Sequence, residues 1–234
     1  MKMKLLSFNT HSLVEERGEE QVSVLADAIL AEKFDVIALQ EVNQPREGRP
    51  ISEGSSVKQG NFAAEVLERL GEAGAKYHFS YLPIKLGYEK YDEGLVFLCR
   101  APIIETQSIL LSKPRSYIDW KKRMALGIRC EGSDVWFWNL HTSWWEDADE
   151  PFSAQWVRLL PTSSTRRPQP AAMRFFRPAL IMLGFSRSLG VIDRMMASVW
   201  AMAFSSRSMF FIPAPPGSCA RRSCMEPMLL SWIS

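Results

Sequence analysis

Four apolar runs in this chain stop or start on polar residues of the kinds that do chemistry. Asn9 and His11 follow "KLLSF", Gln40 and Glu41 follow "FDVIAL", Glu93 opens "EGLVFLC", and His141 follows "VWFWNL". One carboxylate beside one amide suits a hard cation such as Mg²⁺, which takes oxygen ligands and keeps waters. A His beside a Glu suits a general base held in one tautomer. Each residue alone has a plainer reading. A strand-end Glu is usually a solvated edge, and Asn after a strand is a common turn former. A His inside "WFWNLHTSWW" is usually packed among its aromatic neighbours. All four sites stand at strand termini, however, and sheet edges are where layered proteins of this kind place their active sites.

The elements that must position these residues follow from the hydrophobic pattern. "KMKLLSFN" reads as a strand, and "VEERGEEQVSVLADAILAEK" as a helix, with Val22, Leu25, Ala26, Ile29 and Leu30 at helical spacing and acids on the other face. "FDVIALQEV" reads as a strand apolar on both faces. "NQPREGRPISEGSSVKQG" reads as a polar loop, and "NFAAEVLERLGEAG" as a second helix with Phe62, Val66 and Leu70 on one stripe. "YHFSYLPI", "GLVFLCRAPI", "ETQSILLS", "RMALGIRC" and "DVWFWNLHTS" read as five further strands. Strand, helix, strand at the start argues for an α/β or α+β protein.

The 234 residues suit one medium domain, or one domain with an appendage. Net charge is only +2, which does not argue for a nucleic-acid partner. Neither a signal peptide nor a membrane span is legible, so a cytoplasmic protein without a membrane partner is expected. Cys99 and Cys130 sit in apolar runs, and none of the four Cys makes a CxxC pair, so buried free thiols are expected.

"LLSFNTH", "DVIALQEV", "YDEGLVFLCRAPI" and "VWFWNLHTSWW" resemble, in order and spacing, the endonuclease/exonuclease/phosphatase superfamily. "LQEV" is the most specific mark. "GYEKYDEG" and "HTSWWEDADEPFSAQW" look like segments of small bacterial sugar-phosphate phosphatases. The resemblance covers residues 2–158. It implies an α+β fold, a two-sheet α/β sandwich of which only the N-terminal part is present and the second sheet is incomplete. It implies Mg²⁺, with Mn²⁺ as substitute, and a small phosphorylated substrate, a sugar phosphate being favoured over nucleic acid. No protein partner is implied. By this likeness Glu41 is the principal metal ligand, Asn9 touches the metal or the phosphate, Glu93 orients His141, and His141 contacts the scissile phosphate. His11, Trp144 and Trp145 are candidate pocket walls, although both Trp suit a core equally well.

The resemblance also requires a Gly-Asp-x-Asn element and a closing Ser-Asp-His, and residues 159–234 contain no His and no Asn. Residues 1–160 carry 10 Lys, 9 Arg and 24 acids, whereas 161–234 carry 9 Arg, no Lys and only Asp193 and Glu226 as acids. Residues 1–160 are therefore expected to be the domain, and 161–234 a non-matching Arg/Met/Pro-rich tail. A basic interaction tail is one reading. The nine Arg cluster only at Arg166-Arg167 and Arg221-Arg222, a poor phosphate-tracking stripe. A membrane-surface helix would be broken by Pro168, Pro170, Pro178 and Pro213. A shifted reading frame explains the composition best. Met and Trp have single codons, and Met195-Met196-Ala197 read from the last base of its first codon gives Asp-Gly. Met225 to Trp232 in that frame allows Gly-Thr-Asn-Ala-Pro-Val-Met-Asp, near the closing segment that the resemblance requires. The chain as written is then an impaired phosphoesterase whose head sheet lacks its partner layer.

Overall fold

The computed structural model describes residues 3–14, 18–143, 147–165, 180–183 and 228–230. Among them are nine strands and three helices. In chain order they are β1 (Leu5–Asn9), α1 (Gly18–Glu32), β2 (Val36–Pro45), α2 (Phe62–Glu72), β3 (His78–Gly87), β4 (Tyr91–Cys99), β5 (Ile103–Leu110), β6 (Met124–Cys130), β7 (Trp136–Leu140), α3 (Phe152–Thr165), β8 (Leu180–Leu183) and β9 (Met228–Leu230). One sheet has the order β3-β4-β2-β1-β9 and the other β5-β6-β7-β8. This is the expected α+β two-sheet sandwich.

The side-chain alternation of the first sheet explains its two covered faces. Leu6, Ile37, Leu39, Val96 and Leu98 face α1 and α2, where they meet Val22, Ile29, Phe62 and Val66. Leu5, Val36, Ala38, Leu95 and Phe97 face the other way, onto Leu126, Ile128 and Phe137 of the second sheet. The outer face of the second sheet carries Ala125, Trp138 and Leu140, which pack with Leu159 of α3. The order of layers is helices, sheet, sheet, helix.

The expectation of a head sheet without its partner layer is corrected here. The seven strands up to Leu140 divide, β1–β4 into the first sheet and β5–β7 into the second. The division falls at Arg100-Ala101-Pro102, within the run read as one strand through Ile103. Proline has no N–H for a ladder, so a strand ends beside it. The segment read as a loop from Asn43 is corrected too, because β2 continues to Pro45, paired with β4 through Asn43↔Glu93 and Pro45↔Tyr91. The helix starting at Phe62 is capped by Asn61, whose side-chain oxygen accepts from the N–H groups of Ala63 and Ala64.

From the tail, β8 lies parallel to β7 at the edge of the second sheet, and β9 antiparallel to β1 at the edge of the first. The remaining two Cys of the chain, Cys219 and Cys224, and the pairs Arg166-Arg167 and Arg221-Arg222 fall outside the described residues. Cys99 and Cys130 are buried and free, as expected.

Candidate active site

β1 and β2 run parallel and paired from Leu5↔Val36 to Asn9↔Gln40, so both bring their C-terminal ends to one edge of the sheet. β4 runs antiparallel to β2, which brings its opening residues to the same edge. β2 then carries an irregularity. Leu39 pairs with Val96 and Val42 with Gly94, leaving Gln40 and Glu41 opposite Leu95 alone. This two-against-one count is a β-bulge, a device that re-aims a side chain.

Glu41 is the re-aimed residue, and its φ of 50° lies in the left-handed region. Its carbonyl is held by the hydroxyls of Thr10 (3.0 Å) and Ser12 (3.1 Å). Ser12 in turn accepts the Asn43 N–H at 2.9 Å. The break in the ladder is closed from the second sheet. The fully buried Asn139 donates from Nδ2 to the carbonyls of both Leu39 and Val96, at 2.9 Å each, and its Oδ1 accepts from Gln40 Nε2 at 2.7 Å.

The carboxylate so presented gathers most of the expected residues. Asn9 Nδ2 donates to Glu41 Oε1 at 3.0 Å, and Asn9 Oδ1 accepts the His11 N–H at 3.1 Å. His141 Nε2 lies 3.4 Å from Glu41 Oε1, and His11 Nε2 3.9 Å from Oε2. Glu41, Glu93 and His141 line one cleft of about 380 Å³ together with Lys85, Arg123 and Asp147. Expected and observed partners differ for Glu93. It was expected to orient His141, whereas its ion pair is with Lys85 at 3.1 Å, directly across the β3–β4 ladder, and Glu41 is the carboxylate beside His141. A bulge in β3 between Pro83 and Lys85 sets this cross-strand pair. Trp144 and Trp145 lie outside the described residues.

Burial dominates the protonation of the site. It holds His141 down to about 4, with Arg123 and Lys85 adding to the effect and Glu41 opposing it. The ring is therefore neutral near pH 7. Burial also raises the Glu93 carboxyl, helped by Glu41 and countered by Lys85. Asp147 is held below the usual carboxylate range, chiefly by the Glu150 N–H, and pairs with Lys121 at 3.4 Å.

Several members of the cleft were missed in the sequence. Arg123 sits in a run read simply as a strand, Lys85 falls just past the end of "YHFSYLPI", and neither Thr10 nor Ser12 was singled out. Tyr88 was also passed over. It occupies the tight β3–β4 turn with φ of 50°, followed by Glu89 at 59°, and its hydroxyl lies 3.1 Å from His11 Nε2. His11, at φ 45°, Glu41 and Tyr88 thus all hold left-handed backbone around one site. For residues other than Gly this costs of order 1–3 kcal/mol each and clusters at functional sites. "LQEV" did signal Glu41; a positive φ has no such mark when the residue is not Gly or Asn.

Residues 6–170 match the model of the Endonuclease/Exonuclease/phosphatase family. The chain belongs to this family. The match reaches twelve residues past Arg158, where the legible resemblance ended. Among solved structures, an endonuclease/exonuclease/phosphatase family protein from Leptotrichia buccalis is 25% identical with a TM-score of 0.67, over 77% of this chain and 66% of that one. A family member from Beutenbergia cavernae is 22% identical with a TM-score of 0.51, over 68% of this chain and 43% of that one. The chain spans less than two thirds of the length of either. No curated protein matches it.

The family implies a divalent cation. No cluster of three or more His, Cys, Asp or Glu able to hold a metal occurs among the described residues. Of the three carboxylates of the cleft, Glu93 pairs with Lys85 and Asp147 with Lys121, which leaves Glu41, braced by the Asn9 amide, for a cation. That donor set suits Mg²⁺ in an open site, where one or two carboxylates suffice and waters and substrate phosphate complete the shell.

Proposed function

We propose that the cleft is a divalent-metal phosphoesterase site, and that residues 1–160 carry the half of it that holds metal and phosphate. The placement of Glu41 by the bulge, with Asn9 and His141 on its carboxylate, is the observation that carries this reading. Glu41 and Asn9 are the residues that would hold Mg²⁺ or Mn²⁺. When bound, such a cation supplies Lewis-acid polarisation of a phosphoryl oxygen. Asn9 fixes the rotamer of Glu41, so the carboxylate keeps one geometry. His141, neutral near pH 7, offers one ring N–H and one lone pair rather than a second positive charge. Its part is to contact the phosphoryl group. Glu93 and Lys85 neutralise each other and keep the wall polar without a net charge.

The favoured substrate is a small phosphomonoester, a phosphorylated sugar by the resemblance of "GYEKYDEG" and "HTSWWEDADEPFSAQW", handled in the cytoplasm. A cleft of about 380 Å³ is of the size that takes such a molecule. We further propose that the chain as written is impaired, because residues 159–234 offer no His and no Asn for the attacking water.

Two proteins test this together: the chain as written, and a version translated after a single-base correction between about codons 158 and 172. Phosphate release from sugar phosphates and p-nitrophenyl phosphate is measured with Mg²⁺. The expected result is no turnover by the first and turnover by the second, falling about a thousandfold on Glu41→Ala. Turnover by the chain as written, or a corrected protein indifferent to Glu41→Ala, would contradict the proposal.

A further inference from the structure

Arg123 is a buried cation that no described carboxylate contacts directly, although Glu93, Glu41, Asp147 and Asp119 stand near enough to favour its charge. It is 9% exposed, and its backbone is fixed by the N–H donating to Ser112 Oγ at 2.8 Å. Nη1 is fastened to two carbonyls, those of Trp120 (2.7 Å) and Lys122 (3.0 Å). Nε is buried and has no hydrogen-bond partner. No described carboxylate forms an ion pair with the guanidinium. The acids around it are already engaged: Glu93 by Lys85, Asp147 by Lys121, and Glu41 by Asn9 and His141. An unpaired buried cation with an orphan donor is costly. The cost falls when an anion arrives from outside, and Arg123 lines the cleft that also holds Glu41 and His141.

We propose that Arg123 forms an anion subsite that receives the phosphoryl oxygens of the ligand. The assignment rests on the phosphoesterase reading for the nature of the anion. A guanidinium suits a tetrahedral oxyanion because its N–H donors form a planar fork. Lys85 is the other cation of the cleft, but Glu93 already takes its charge, and its ammonium donates to the same Trp120 carbonyl at 3.2 Å. Arg123 is therefore the cation whose charge an incoming phosphoryl group meets. Because it also grips the Trp120 carbonyl, filling the subsite should steady the segment from Trp120 to Arg123.

Inorganic phosphate is titrated calorimetrically into the full chain without divalent cation, and into Arg123→Met and Arg123→Lys. Thermal melts confirm that each variant is folded. The expected result is phosphate binding about tenfold or more weaker in Arg123→Met, with Arg123→Lys between the two. Equal affinity in wild type and Arg123→Met, or no binding by the folded wild type, would overturn the subsite. Should Arg123→Met not fold, hydrogen exchange of the wild type decides. Phosphate should slow exchange from Trp120 to Arg123, and unchanged exchange there overturns the proposal. Mg²⁺ titrations on the same samples separate the two readings. Phosphate binding lost in Arg123→Met where Mg²⁺ does not bind supports the subsite and removes the metal reading. Mg²⁺ binding with phosphate affinity unmoved by Arg123→Met does the reverse.

Discussion

Glu41 occupies a backbone conformation that glycine adopts without penalty, and it does so at the centre of the cleft. Stability and function therefore pull apart at this residue. Glu41→Gly should stabilise the fold by about 1 kcal/mol, the left-handed cost of a β-carbon being partly offset by the freedom of glycine in the unfolded chain. A rise in melting temperature accompanied by loss of metal binding is the expected outcome; a fall would show that the bulge does not strain the residue. Asp92 makes the opposite kind of contribution. Burial raises its carboxyl, but hydrogen bonds from Lys58 at 2.6 Å, Tyr117 at 2.7 Å and Gln44 at 3.2 Å outweigh this and hold it below its usual value. A folded value below the unfolded one gives stability that is present above about pH 4 and lost as the pH falls through the folded value. Asp92→Asn should cost roughly 1–3 kcal/mol at pH 7 by urea unfolding. The gap from wild type should narrow below pH ~4. A gap that stays constant across pH would contradict the assignment.

At the scale of elements, the site depends on a broken ladder. The bulge in β2 leaves the carbonyls of Leu39 and Val96 to Asn139, which comes from the other sheet. Asn139→Leu preserves volume but strands those carbonyls and the Gln40 amide. We expect a loss of about 3 kcal/mol, and weaker metal binding at Glu41 even where the variant remains folded. A variant as stable as wild type would show that the bulge holds itself. Gly94→Ala tests the same edge from β4, because a methyl group there would fall onto the Leu82 carbonyl and within 2.6 Å of the Tyr81 ring. It should destabilise by about 1–3 kcal/mol. Much of this architecture was legible. The first two helices and the runs of β1 to β7 follow from periodicity, and Asn9, Glu41 and His141 from their places at strand ends. The bulges were not legible, since pairing register is a property of two strands at once. Without them Asn139 reads as one polar residue in an aromatic strand, and Lys85 as a residue just past the end of one, although the strand runs on to Gly87. The separation of the sheets was in view as Pro102 but was passed over within an apolar run.

For the whole molecule, residues 1–160 supply seven of the nine described strands and the residues of all three buried interfaces between layers. A three-strand contribution from β5 to β7 covers the inner face of the first sheet, so the sandwich does not wait on residues 161–234. A chain ending after α3 should therefore retain cooperative thermal unfolding if the head is self-sufficient; a broad, non-cooperative melt would show that β8 and β9 are needed. The tail's composition bears on catalysis instead, because the late His and Asn that the resemblance requires are absent from it. The central claim is that the bulge-presented Glu41 makes a divalent-cation site in this chain. It is tested most directly by titrating Mn²⁺ into the full chain and into Glu41→Gln, with bound ion read by electron paramagnetic resonance. The account predicts saturable binding to the wild type, weakened roughly tenfold or more in the variant. Equal binding by both proteins, or none by a folded wild type, would contradict it.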